Sequence, residues 1–187
     1  MKTYTIVGGV NGVGKSSLTG VLKSRTTDLG VIVDVDKITA QMGGSAMEGG
    51  RVSIRMIEDC ISKGISFTQE TTLSGRMTEI TAQRVKEAGY FVRLFYVGLD
   101  TVEESKRRIA NRVARGGHNI NSDDVERRFQ GRWESLAKVL PYCDEAAFYD
   151  NDNGFVEVAA YRNGELILEG DYRPEWIVGL EKYLSTK

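Results

Sequence analysis

Apolar residues in this chain follow two rhythms that take turns. Short runs rich in β-branched and aromatic residues read as buried strands: "YTIVGG" at 4–9, "VIVDVD" at 31–36, "GISFTQET" at 64–71, "FVRLFYVGL" at 91–99 and "AAFYDN" at 146–151. Between them, apolar positions fall three and four apart. That spacing predicts helices over 15–25, 51–63, 77–90, 102–117 and 122–140. Gly89 is the expected C-cap of the third, and Ser122 or Asp123 the N-cap of the fifth. Strand–helix alternation predicts a parallel sheet covered by helices on both faces. The end breaks the rhythm. Residues 155–170 hold two strand-like runs around Asn163-Gly164, a hairpin signal, and a closing helix follows Pro174. No repeat, low-complexity tract or linker divides the chain, so one α/β domain over residues 1–187 is expected. It is a three-layer sandwich with a five-stranded, mostly parallel sheet. A helical lid at roughly 111–130 and a C-terminal hairpin plus helix at roughly 154–187 complete it.

The first strand runs into "GGVNGVGKSS" at 8–17. Gly9, Gly14, Lys15 and Ser16 fit G-x-x-x-x-G-K-[ST], the phosphate-binding P-loop, and a strand precedes and a helix follows as that motif requires. Glycines let backbone N–H groups turn inward around phosphate oxygens, and the helix starting near Lys15 adds its positive dipole end. Lys15 reaches the β- and γ-phosphates, and the Ser16 hydroxyl ligates Mg²⁺. The candidate nucleotide site is Gly9, Asn11, Gly12, Val13, Gly14, Lys15, Ser16 and Ser17, with ATP and Mg²⁺ as cofactors and Ser16 as metal ligand.

A P-loop fixes the nucleotide and not the reaction. The strings D-x-x-G and N-K-x-D typical of GTPase switches do not occur, and a single acid, Glu70, stands where motor ATPases place a pair. A basic, glycine-hinged segment late in the chain fits a small P-loop kinase better. The alternative is a nucleotide-dependent regulatory ATPase or toxin-type protein without a small-molecule acceptor.

Composition narrows the setting. The net charge of −1 gives the whole molecule no pull on nucleic acid or membrane surfaces. No apolar run approaches the roughly 20 residues that span a bilayer, and the apolar stretch in "MKTYTIVGGV" is too short for a signal peptide. Cys60 and Cys143 match no metal or redox spacing and read as reduced, buried thiols; the expected location is the cytoplasm. The single histidine, His118, excludes a multi-histidine metal site.

In parallel α/β folds, ligands bind beyond the carboxyl ends of the strands. "VIVDVDKI" brings Asp34 and Asp36 there, and "TQETTLSGR" brings Glu70, Thr72, Ser74 and Arg76. A kinase acting on a hydroxyl needs a carboxylate to orient it and accept its proton. Asp36 is the candidate base, with helix N-cap as its competing role, and Asp34 reads as structural. Glu70 suits a substrate hydroxyl or a magnesium-bound water, unless it is only a solvated strand end. Thr72 and Ser74 alternate with it and share its face.

Residues 106–132 carry Lys106, Arg107, Arg108, Arg112, Arg115, Arg127, Arg128 and Arg132 against Asp123, Asp124 and Glu126. Arg108, Arg112 and Arg115 lie on one helical face, and Gly116 and Gly117 then break the helix. A helix–loop–helix of this kind suits a lid that closes on the nucleotide and neutralises phosphate charge. The bland alternative is a solvated charged helix pair. No RNA-binding signature accompanies the arginines, so nucleic acid is not the expected partner. His118, at the hinge, reads as a packing residue rather than a catalyst.

"GGVNGVGKSS", "VDVDKIT", "ETTLSGR" and "NRVARGGHNI…VERRF" stand in an order and spacing that resemble the zeta-toxin-like P-loop kinases, over about residues 4–150. The resemblance implies ATP-dependent phosphoryl transfer to a small-molecule hydroxyl, which in the toxins belongs to a UDP-linked amino sugar. It implies phosphate and Mg²⁺ binding by Lys15 and Ser16, and Asp36 as base. Glu70 and Thr72 become substrate contacts. Arg112 and one of Arg127 or Arg128 contact phosphate. The family's sheet has five parallel strands with the P-loop strand central. The toxins read E-G-T-x-R where this chain has Glu70-Thr71-Thr72-Leu73-Ser74, with Arg76 two residues on. That difference bears on the acceptor. An antitoxin partner is compatible with the resemblance, but no segment of the sequence supports one.

Overall fold

The computed structural model of the protein describes residues 1–25, 28–43, 45–117 and 119–186. Strand β1 (Thr3–Gly8) runs parallel between β3 (Phe67–Thr71) and β4 (Phe91–Val97). Outside these, β2 (Val31–Asp34) pairs with β3 and β5 (Glu145–Asp150) with β4, again parallel. Two further strands, β6 (Val156–Arg162) and β7 (Glu165–Leu168), continue the same sheet antiparallel, in the order β2-β3-β1-β4-β5-β6-β7. The sheet is therefore seven-stranded and mixed, not five-stranded. The hairpin turns at Asn163-Gly164, both at positive φ, and its first strand satisfies the backbone groups that β5 would otherwise present at an open edge.

The helices are α1 (Lys15–Arg25), α2 (Val35–Gln41), α3 (Ala46–Lys63), α4 (Met77–Glu87), α5 (Val102–Ala114), α6 (Ser122–Gln130), α7 (Arg132–Val139) and α8 (Glu175–Ser185). Local capping explains where they depart from apolar spacing. "VIVDVD" leaves the strand at Asp34, whose carboxylate accepts a hydrogen bond from Lys37 N at 3.1 Å and starts α2. Ser45 caps α3 in the same way and begins it earlier than predicted. The C-cap of α4 is Ala88, with Gly89 following at φ 76°. The long helix predicted over 122–140 divides at Gly131 into α6 and α7. Its N-cap is Asn121, whose Oδ1 accepts from Asp123 N at 2.8 Å.

All six residues of β1 are buried, as a central strand covered on both faces must be. On one face Tyr4 and Ile6 pack with Phe67, Leu94, Phe148 and Trp176; on the other, Val7 meets Leu18, Val97 and Phe129. The C-terminal helix is part of this core. The Trp176 indole lies directly over Gly98, where a Cβ would fall 2.0 Å from the ring, and its Nε1 donates to Asp150 Oδ1 at 2.9 Å. Cys60 and Cys143 are both free. Cys60 is buried; Cys143 is half-buried, and its surroundings push its thiol up to about 12. No helix among the described residues is long and apolar enough to cross a membrane.

Candidate active site

The carboxyl ends of β1, β2 and β3 meet at a cavity of about 400 Å³. Strand register puts the acids beside the P-loop: Glu70 lies opposite Val7 on one side and Asp34 on the other. The loop itself depends on glycine. At Gly9, φ is 142° and a Cβ would stand 2.4 Å from the Val97 carbonyl. At Gly14, φ is 99° and a Cβ would stand 2.6 Å from Asn151 Nδ2.

Lys15 folds back over the loop, with Nζ donating to the carbonyls of Gly9 at 3.0 Å and Val10 at 3.1 Å. Burial lowers its pKa to about 8; Asp36, Glu70 and Asp34 pull the other way, and Arg112 adds to the drop. Ser16 Oγ donates to Glu70 Oε2 at 2.6 Å. Glu70 is only 8% exposed, so it is not a solvated strand end. A serine hydroxyl touching a buried carboxylate beside a phosphate loop is a hard-oxygen pair of the kind Mg²⁺ takes. No group of three or more His, Cys, Asp or Glu side chains suited to a metal occurs among the described residues. Mg²⁺ here would thus complete its shell with phosphate oxygens and water.

Asp34, not Asp36, caps α2, which leaves the Asp36 carboxylate exposed in the first turn and on the cavity wall. Asn11, Gly12 and Gly14 to Ser17 form the facing wall, and Thr72 joins Asp36 and Glu70. The third wall is arginine. Arg112 and Arg128 both line the cavity; Arg127 instead pairs with Asp124 at 2.5 Å, outside it. Arg128 Nη1 donates to Asn11 Oδ1 at 3.1 Å, while its buried Nε finds no partner among the described residues. Such an N–H suits a phosphate oxygen.

Other predicted residues lie apart. Val13 is buried in the core, with its carbonyl accepting from Asn151 Nδ2 at 2.9 Å. Arg115 lines a neighbouring opening with Gly12 and Asn151. Ser74 and Arg76 line a separate depression with Arg127 and Arg128, although the Ser74 and Thr72 hydroxyls touch at 2.8 Å. The expected lid segment falls on the end of α5 and on α6; His118 lies outside the described residues.

Two residues stand at the site that were not among its candidate residues, although Arg108 was placed on the arginine face. Arg108 lines the cavity and bonds Asp152 Oδ1 at 2.9 Å and the Asn151 carbonyl at 3.2 Å. Its signal was present, one helical turn before Arg112. Asn151 had no local signal, because it reaches the P-loop across 138 positions of chain.

No protein-family model matches the chain. An uncharacterized protein of Haemophilus influenzae is 33% identical over 126 residues, which are 65% of this chain and 88% of that protein. The two proteins belong to one family. A solved chain from the PezAT chromosomal toxin–antitoxin system of Streptococcus pneumoniae has a TM-score of 0.64 at 16% identity, covering 100% of this chain and 86% of that one. The structure of AvrRxo1-ORF1:-ORF2 with ATP gives 0.67 at 15% identity, covering 100% and 76%. The fold is that of the zeta-toxin-like P-loop kinases. Within this zeta-toxin-like fold, Glu70 flanks the P-loop strand, and Arg76 precedes α4 instead of lining the central cavity.

Proposed function

We propose that the protein is a Mg²⁺- and ATP-dependent kinase that transfers the γ-phosphoryl group to a hydroxyl of a small molecule. One observation carries this reading: the Ser16–Glu70 hydrogen bond lies in the same cavity as Lys15, Asp36, Arg112 and Arg128. The P-loop amides and Lys15 hold the β- and γ-phosphates. Ser16 and Glu70 would hold Mg²⁺, which neutralises charge on the phosphate oxygens. Asp36 accepts the hydroxyl proton as the acceptor oxygen bonds the γ-phosphorus and the bond from phosphorus to the bridging oxygen breaks, releasing ADP. Arg112 and Arg128 hold the transferring oxygens and offset their charge. The AvrRxo1-ORF1:-ORF2 structure holding ATP supports that choice of nucleotide.

The test is a panel of hydroxyl-bearing metabolites, UDP-linked amino sugars among them, incubated with Mg²⁺ and ATP and read by mass spectrometry. A phosphorylated acceptor is expected. Asp36→Asn should lower its turnover by about 10²–10⁴-fold with ATP affinity little changed. If no acceptor gains phosphate, or the variant transfers at the wild-type rate, the reading fails. The solved neighbours from two-protein systems favour a second reading, a nucleotide-dependent regulator with a protein partner. A partner captured only with ATP, with no phosphorylated product, would favour it.

A further inference from the structure

A second cavity, of about 550 Å³, lies beside the first, walled by α1, β2, α2 and α3. The two share Ser16, Asp34 and Glu70, so the second opens onto the place where transfer would occur. Its α1 wall is Ser16, Thr19, Gly20 and Lys23, one helical face. Glycine is less favourable than alanine in a helix interior, where Gly20 lies. Nothing lies within 4 Å of where its Cβ would be. Packing therefore does not demand glycine there, and its missing side chain keeps the cavity open.

The opposite wall is apolar and unfinished. Ile32, Ile38, Val52 and Met56 are only partly buried, and Met42 is 43% exposed. The core residues proper are nearly inaccessible. Half-covered apolar side chains around a concavity of this size are what a ligand covers. The charges are separated. Asp34 and Glu70 sit where the cavities join, while Lys23 on α1 and Lys37 on α2 line the rest. Neither lysine is in a salt bridge among the described residues.

Resting on the kinase reading, we infer that this cavity seats the acceptor, and that the acceptor is a small organic anion. Its apolar or aromatic body lies on the Met42–Met56 wall, its phosphate or carboxylate is held by Lys23 and Lys37, and its hydroxyl reaches past the junction of the two cavities toward Asp36 in the first.

The experiment is a methionine-methyl NMR titration of the full chain with Mg²⁺ and a non-hydrolysable ATP analogue. Phenyl phosphate and benzoate are the anionic probes and benzyl alcohol is the neutral one. Saturable shifts of the Met42 and Met56 methyls are expected with the anions, with Met1 and Met77 unmoved. Binding of the neutral probe should be at least about tenfold weaker, as should binding of the anions to Lys23→Ala/Lys37→Ala. Gly20→Leu, which fills the cavity, should abolish the shifts while calorimetry shows the ATP analogue still bound. Unmoved Met42 and Met56 methyls with both anions, equal binding of the neutral probe, or undiminished binding in Gly20→Leu or in the lysine variant would overturn the inference. Failure of the kinase reading shows elsewhere, as loss of analogue binding or of phosphoryl transfer, and leaves the methionine shifts unaffected.

Discussion

Replacing Glu70 by glutamine isolates the role of the carboxylate that touches Ser16. The side chain keeps its volume and loses one charge, so the buried end of β3 still packs. Two energies set the expected effect. A hydrogen bond to a charged group contributes about 1.5–3 kcal/mol, against about 1 for a neutral one. A unit charge about 5 Å from another, at an effective dielectric of about 20, is worth about 3 kcal/mol. The two act oppositely on the two forms of the ligand. Metal-free ATP is repelled by Glu70, so Glu70→Gln should bind it as well as or better than wild type. Mg²⁺-ATP loses a hard anionic partner for the metal, so the enhancement of ATP binding by Mg²⁺ should shrink by about 10–100-fold. Isothermal titration calorimetry of ATP, with Mg²⁺ and with chelator, on both proteins measures that ratio directly. An unchanged ratio would refute the metal role of the Ser16–Glu70 pair, whatever happened to overall affinity.

Two further outcomes are expected. Lys15 has a pKa of about 8 in the free protein against its ordinary 10.5, and bound phosphate keeps it charged. Above about pH 8 each ATP bound must therefore take up a proton, and affinity should fall by up to about tenfold per pH unit until the ordinary value is reached; below pH 8 this group adds no pH dependence. Calorimetry in buffers of different ionisation enthalpy at pH 7 and 9 checks this, and equal proton uptake at both would count against it. Gly98→Ala drives a methyl into the Trp176 indole at 2.0 Å and should destabilise the fold by about 2 kcal/mol or more in urea unfolding followed by tryptophan fluorescence. A change below about 0.5 kcal/mol would mean that α8 docks some other way.

Much of the site was legible because its signals are local. A P-loop is one contiguous stretch, and its glycines, Lys15 and Ser16 act within a strand, a turn and the start of a helix. Periodicity alone gave five strands their places and the arginines of α5 a shared face. Caps were less legible. Whether Asp34 or Asp36 ends "VIVDVD" depends on which carboxylate meets the Lys37 amide, and two acids one residue apart look alike in one dimension. Sheet size was misjudged for another reason. Asn163-Gly164 announces a hairpin but not its neighbour, and only the free edge of β5 decided that the hairpin joins the main sheet.

By itself, then, the sequence determined a phosphate loop on a strand of an α/β fold, because backbone conformation and helix dipole are properties of adjacent residues. Tertiary structure decided the rest. Parallel register levelled Glu70 with the P-loop and buried it against Ser16. The seating of α6 beside the P-loop put Arg128, and not Arg127, in the cavity, where it meets Asn11. Asn151 reached Val13 because the loop after β5 comes back over the P-loop. Each of these pairs is distant along the chain, so nothing local distinguishes its members until the sheet brings them together.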